Sequence, residues 1–176
     1  MEKLRIQSPN GIEHIIDLST RCTWACISLT AVYVDGGSGI LPNTKVAQWS
    51  AAYEDKNEFD AGQVMIGNGR IDLEIESLRG IGLGSLLMLP IIRWIKQKPP
   101  VPVVLINLSA EDAKTTHAQK RRNRFYEKLG FEFDYQDSGL WGESRPMTSD
   151  RLIAPIFKLS NDWKVKSIDG VNSVFG

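Results

Sequence analysis

Apolar and polar residues alternate with a period of two through much of residues 1–60, the pattern of half-buried strands. Residues 4–6, 14–20 and 24–34 are predicted strands, rich in Ile, Val, Thr, Tyr and Trp. Pro9-Asn10-Gly11 closes the first, and Asp35-Gly36-Gly37-Ser38-Gly39 breaks the chain after the third. Residues 43–53 fit two patterns. Val46, Trp49 and Tyr53 suit a helix face, whereas Ala47, Trp49, Ala51 and Tyr53 alternate, and the strand reading is taken. An acidic loop follows over 54–60. Residues 63–66 and 70–77 then flank Gly67-Asn68-Gly69, which predicts a hairpin. In its second strand Leu73 and Ile75 face one way and Asp72, Glu74 and Glu76 the other.

The period changes at residue 82. Leu83, Leu86, Leu87, Pro90, Ile91, Trp94 and Ile95 fall on one helix face, so 82–98 is a predicted helix, disturbed at Pro90 and stopped by Pro99-Pro100. The apolar run 101–108 reads as a central strand buried on both faces. Residues 111–129 form a second, basic helix ended by Gly130. Residues 131–135 and 152–159 are the last predicted strands. The order is β-rich, then strand–helix–strand–helix–strand, which describes a mixed α/β sheet with one central crossover.

Composition narrows the class. With 176 residues, 42% hydrophobic and 24% charged, the chain reads as a single globular domain over 1–176. Lys+Arg and Asp+Glu are 21 each, so no net charge draws it to nucleic acid or to a membrane surface. The apolar stretch 81–92 is too short to span a bilayer, and the start Met1-Glu2-Lys3-Leu4-Arg5 is not laid out like a secretory signal. A cytoplasmic protein is expected. Cys22 and Cys26 have the wrong spacing for a Cys-x-x-Cys redox or zinc pair, His14 and His117 lie far apart, and no metal site is expected. Both cysteines are expected to be small buried apolar residues.

Candidate chemistry sits at Arg79-Gly80-Ile81-Gly82-Leu83-Gly84-Ser85. Glycines let backbone approach a ligand closely, and a loop running into a helix presents free N–H groups at the positive end of the helix dipole. That is a phosphate cradle, or else a tight turn without a ligand. The spacing G-x-G-x-G is not the dinucleotide fingerprint, and no Lys follows Gly84 as a nucleotide P-loop requires.

The segment from Arg79 to Gly84 resembles R-x-x-G-x-G, the pyrophosphate signature of the GNAT superfamily of acyl-CoA-dependent N-acyltransferases. Asn123-Arg124-Phe125-Tyr126-Glu127-Lys128-Leu129-Gly130-Phe131 resembles that family's later motif ending in Tyr-x-x-x-Gly-Phe. The resemblance covers about residues 62–135. It implies a GNAT-like α/β fold, with a mixed, mostly antiparallel central sheet flanked by helices and a β-rich N-terminal part.

The resemblance also implies acetyl-CoA as acyl donor and direct transfer of its acetyl group to a primary amine. Backbone of Gly80, Ile81, Gly82, Leu83, Gly84 and Ser85, with Arg79, would hold the pyrophosphate. Main chain around Ile75 and Ser77 would hold the pantetheine arm, between splayed strands 70–77 and 101–108. Tyr126 would sit by the thioester sulfur and protonate the departing thiolate. Asn107 and Asn123 are further candidates for cofactor contact. An attacking amine must lose a proton, and Glu76, then Glu74, are the candidate bases. Their acidic face also favours a cationic acceptor, either a small molecule or a peptide.

Lys120-Arg121-Arg122-Asn123-Arg124 reads as a solvated helix surface, with contact to a nucleotide phosphate next and nucleic acid third. The chain departs from the family over residues 1–60, where strands replace the helices that usually shape the acceptor site. Trp24, Trp49, Trp141 and Trp163 fit a pocket, a core or a homodimer interface. The alternative to an enzyme is an acyl-CoA-binding sensor or interaction module without turnover.

Overall fold

The computed structural model describes residues 2–36, 39–67 and 73–169. Nine strands and two α-helices form among them. The strands are β1 (Glu2–Gln7), β2 (Glu13–Cys22), β3 (Cys26–Asp35), β4 (Lys45–Glu54), β5 (Gln63–Ile66), β6 (Asn107–Leu108), β7 (Phe133–Gln136), β8 (Trp141–Ser144) and β9 (Lys164–Asp169). The helices are α1 (Leu83–Lys96) and α2 (Thr116–Lys128). A six-stranded sheet has the order β5-β4-β3-β2-β1-β9, and a three-stranded sheet the order β6-β8-β7.

The chain divides into two compact units, one of residues Met1–Ala51, Gly67–Ile91 and Ile156–Gly176, the other of Ala52–Ile66 and Ile92–Pro155. In the first unit β1 pairs with β2, β2 with β3 and β1 with β9, all antiparallel. The alternation seen in the sequence is the cause. Leu4, Ile6, Ile16, Leu18, Leu29, Ala31 and Tyr33 are buried, while their neighbours face outward. Ser8 and Ile12 close the β1–β2 turn through Ser8 N–H to Ile12 carbonyl at 2.9 Å, with Gly11 at φ 85°. At the other end Thr23 N–H donates to Cys26 carbonyl at 2.8 Å around Trp24-Ala25.

In the second unit β7 and β6 flank β8, both antiparallel to it. Thr115 caps α2 by accepting from Ala118 N–H at 3.1 Å, and Gly130, at φ 96°, ends it as expected. Val64 and Val103 form one parallel bridge, and Pro102 and Thr148 one antiparallel bridge.

The α/β architecture expected from the sequence is not the one that forms. The fold is β-rich and mostly antiparallel, with two α-helices among the described residues rather than helical layers flanking a mixed sheet. Three segments account for the difference. The run 101–108 is no buried central strand. Pro102 and Leu105 are exposed, and Pro100 and Pro102 remove ladder donors, so the run pairs only at isolated bridges before β6. Residues 73–77 alternate in burial as expected, yet the chain curls into a 3₁₀ turn at Glu76–Leu78 instead of extending. The Asn68-Gly69 turn and Asp72 lie outside the described residues. Residues 152–159 form no strand, and the unforeseen β8 and β9 supply the late pairing.

Helix α1 is buried nearly all round. Met88, Leu89 and Ile92 are enclosed along with the predicted apolar face, and the helix continues through Pro90. The two cysteines were expected to be buried, yet both are exposed. They lie at the β2–β3 tip, where Cys26 Sγ is 3.2 Å from Thr23 Oγ1.

Candidate functional site

The glycine-rich loop lies wholly in the first unit. Leading into it, Leu78 N–H donates to Ile75 carbonyl at 3.2 Å and Arg79 N–H to Glu76 carbonyl at 3.0 Å, so the main chain of 75–79 is a tight turn. Arg79 turns back, its Nε donating to Leu73 carbonyl at 2.6 Å. Gly80 and Gly82 then take φ of 80° and 90°, the left-handed region that other residues enter at a cost. Gly82 carbonyl accepts from Leu86 N–H at 3.0 Å, the first bond of α1.

The loop thus holds two left-handed glycines in three positions. None of the N–H groups of Gly80, Ile81, Gly82, Leu83, Gly84 and Ser85 donates to a protein acceptor among the described residues. No acidic side chain stands in the first turn of α1. The opposite flank of the loop is covered. Ser160 N–H donates to Ile81 carbonyl at 2.7 Å, and Ser160 Oγ and Asn161 Nδ2 each approach Gly80 carbonyl at 3.4 Å. A Cβ at Gly82 would meet Lys158 carbonyl at 3.3 Å. The segment 158–161 thus binds the loop's carbonyls.

The other predicted residues fall in both units. Ile75 is buried at the start of the 3₁₀ turn, and Glu76 and Ser77 are exposed on it. Glu74 pairs with Lys45 at 2.9 Å. Tyr126, Asn107 and Asn123 belong to the second unit. Tyr126 is half-buried on α2, edge-on to Phe125, Phe131 and Phe133 with ring centroids at 5.3, 6.1 and 5.9 Å. Asn107 is exposed on β6 opposite Glu143. Asn123 is engaged at both ends of its amide: Nδ2 donates to Gly139 carbonyl at 3.0 Å, and Oδ1 accepts from Arg122 Nε at 3.0 Å.

Arg122 changes the reading of the basic helix. Its guanidinium donates to the carbonyls of Ser109, Gly139 and Leu140, the latter two at 3.0 Å. With Gln119 Nε2 on Ser138 carbonyl at 2.8 Å, it holds a turn in which Asp137, Ser138 and Gly139 all have positive φ. That is a structural clamp, and nothing in the spacing of the basic run announces it.

Sequence reasoning also passed over His14. It sits opposite Ile6 in the β1–β2 register and, like Ile16 and Leu18, faces inward, 3% exposed. Its Nδ1 is 3.0 Å from Tyr33 Oη, and Trp163 lies against it with centroids 5.1 Å apart. Burial holds its pKa below the ordinary 6.5. The available signal was its place in an apolar alternation, where a histidine needs a partner.

No family model matches the sequence, and neither a curated protein nor a solved structure matches it. No helix among the described residues is long and apolar enough to cross a membrane.

Proposed function

We propose that the protein binds acetyl-CoA through the loop Arg79 to Ser85 and transfers the acetyl group to a primary amine. The observation that carries this reading is the row of N–H groups from Gly80 to Ser85 without a protein acceptor, at a helix start free of acidic side chains. A pyrophosphate supplies the acceptors and negative charge that this row lacks. The resemblance of the loop and of the Tyr126–Phe131 segment to acyltransferase motifs points to the same donor.

In the transfer the amine nitrogen attacks the thioester carbonyl, the carbon–sulfur bond breaks, and an amide forms. The amine gives up a proton and the departing thiolate takes one; Tyr126 is the residue proposed to donate it. No covalent enzyme intermediate is needed. Glu76, exposed and without an ion pair among the described residues, is the better of the two proposed bases, because Glu74 is engaged by Lys45. The acceptor is a small-molecule or peptide amine. A cytoplasmic setting belongs to the same reading, since two exposed free thiols suit a reducing compartment.

A second reading, donor binding without turnover, is favoured by two specific observations. The Asn123 amide is committed to the 139 turn, and Glu74 to Lys45. Formation of CoA from acetyl-CoA over a panel of amines separates the two. Product should be read by chromatography, because Cys22 and Cys26 would consume a thiol dye. Turnover that falls about a hundredfold in Tyr126→Phe, with donor affinity kept, supports the enzyme. Donor binding with no product from any amine supports the binder.

A further inference from the structure

The first unit holds a cavity of about 390 Å³ lined by Ser8, Pro9, Asn10, Ile12, His14, Ser77, Leu78 and Trp163. Its wall is nearly all apolar, because the polar atoms of the β1–β2 turn are used inside that turn. Ser8 Oγ bonds with Asn10 Oδ1, and also accepts from Ile12 N–H at 3.1 Å.

His14 is the exception. Tyr33 Oη donates its proton to Gly36 carbonyl at 2.7 Å, so the 3.0 Å contact with His14 must run from Nδ1–H to the phenol oxygen. The imidazole is thereby fixed with its proton on Nδ1, and Nε2 carries a bare lone pair. Nε2 bonds to no protein group among the described residues, although the side chain is 3% exposed. Nε2 is not sealed from solvent; it opens to the cavity, whose apolar wall supplies no donor to it.

We infer that this cavity is a binding site for a small, uncharged, largely apolar molecule with one hydrogen-bond donor, such as a phenol or an alcohol. The donor meets His14 Nε2, and the apolar body lies against Leu78, Ile12 and the face of Trp163. The volume suits such a molecule. No charged side chain lines the cavity to hold an ion. Burial favours neutral His14, which keeps the lone pair available at neutral pH. This inference stands apart from the acyl-donor reading, and its test contains no CoA.

The test is an NMR titration of the full chain with naphthol and with its methyl ether, which has a similar apolar body but no donor. The chain has two histidines, so exposed His117 serves as the internal control. Naphthol should move the His14 Nε2 and Trp163 indole resonances, leave His117 in place, and bind about tenfold tighter than the ether. In His14→Phe that ratio should fall to about one. Should that variant not fold, the wild-type Nε2 resonance decides: it must saturate at about tenfold lower concentration of naphthol than of the ether. Equal affinity for both compounds, no shift at His14, or a proton found on Nε2 overturns the assignment.

Discussion

His14 Nδ1 lies 3.0 Å from Tyr33 Oη, and Tyr33 passes its own proton to Gly36 carbonyl at 2.7 Å, so one buried relay sets the tautomer of an inward-facing histidine. Burial of that histidine also makes stability depend on pH. Burial lowers the folded-state pKa of His14 below 6.5, so the unfolded chain binds the proton more readily. The stability that neutral His14 contributes is therefore fully present above about pH 6.5 and is lost as pH falls through the folded value. Urea denaturation at about pH 7.5 and pH 5.5 should show a loss at the lower pH that shrinks in His14→Phe. Asp150, held below 3.8 chiefly by a hydrogen bond from Thr148, loses its contribution only at more acid pH and leaves this window clear. A flat profile across the window would contradict the lowering of the His14 pKa by burial.

The guanidinium of Arg122 satisfies three carbonyls of the second unit at once. Arg122→Ala should cost about 2–3 kcal/mol, the worth of charge-assisted bonds whose acceptors lose their partner. Arg122→Lys should recover little, because a point ammonium cannot reproduce the planar fork. Thermal melting of the two variants checks both statements. Full rescue by lysine would mean that charge rather than geometry is what matters there.

Gly130 is a position where a side chain has neither the backbone freedom nor the room. Its φ is 96°, and a Cβ would fall 2.9 Å from Arg151 carbonyl. Gly130→Ala should destabilise the protein by about 1–3 kcal/mol. A melting temperature equal to the wild type would show that the α2 terminus relaxes at no cost.

Much of this fold was legible in the residues. The strands β1 to β5, helix α1 and the Gly130 cap follow from alternation, from the apolar face between Leu83 and Ile95, and from glycine's tolerance of positive φ. What failed was inference from apolar content alone. Residues 101–108 look like a core strand, but Pro100 and Pro102 cannot donate, and Leu105 faces outward. The β9 strand, with Lys164, Lys166 and Asp169 exposed, has the polar face of an edge and carries little apolar signal. In the candidate site the Gly80–Ser85 loop was visible because glycine spacing is local. The commitments of Glu74, Arg122 and Asn123 were not, because each depends on a partner distant in sequence.

Cys22 and Cys26 correct the expectation of burial, and the correction is directly measurable. Their hairpin tip needs no unfolding to be reached. Both thiols should be modified by iodoacetamide in the native protein at rates close to those in denaturant, read by intact mass. Protection of either by a large factor would contradict their exposed placement.

The central claim is that the loop beginning at Arg79 binds the pyrophosphate of an acyl-CoA donor, and calorimetric titration with acetyl-CoA tests it most directly. Ser85→Glu is the informative variant. A carboxylate at the third residue of α1 complements the helix dipole and leaves the fold as stable or more so, while it repels an anion at the N–H row. The account predicts micromolar binding by the wild type and none by Ser85→Glu, with no fall in melting temperature. No binding of acetyl-CoA by the folded wild type, or equal binding by the variant, would contradict it.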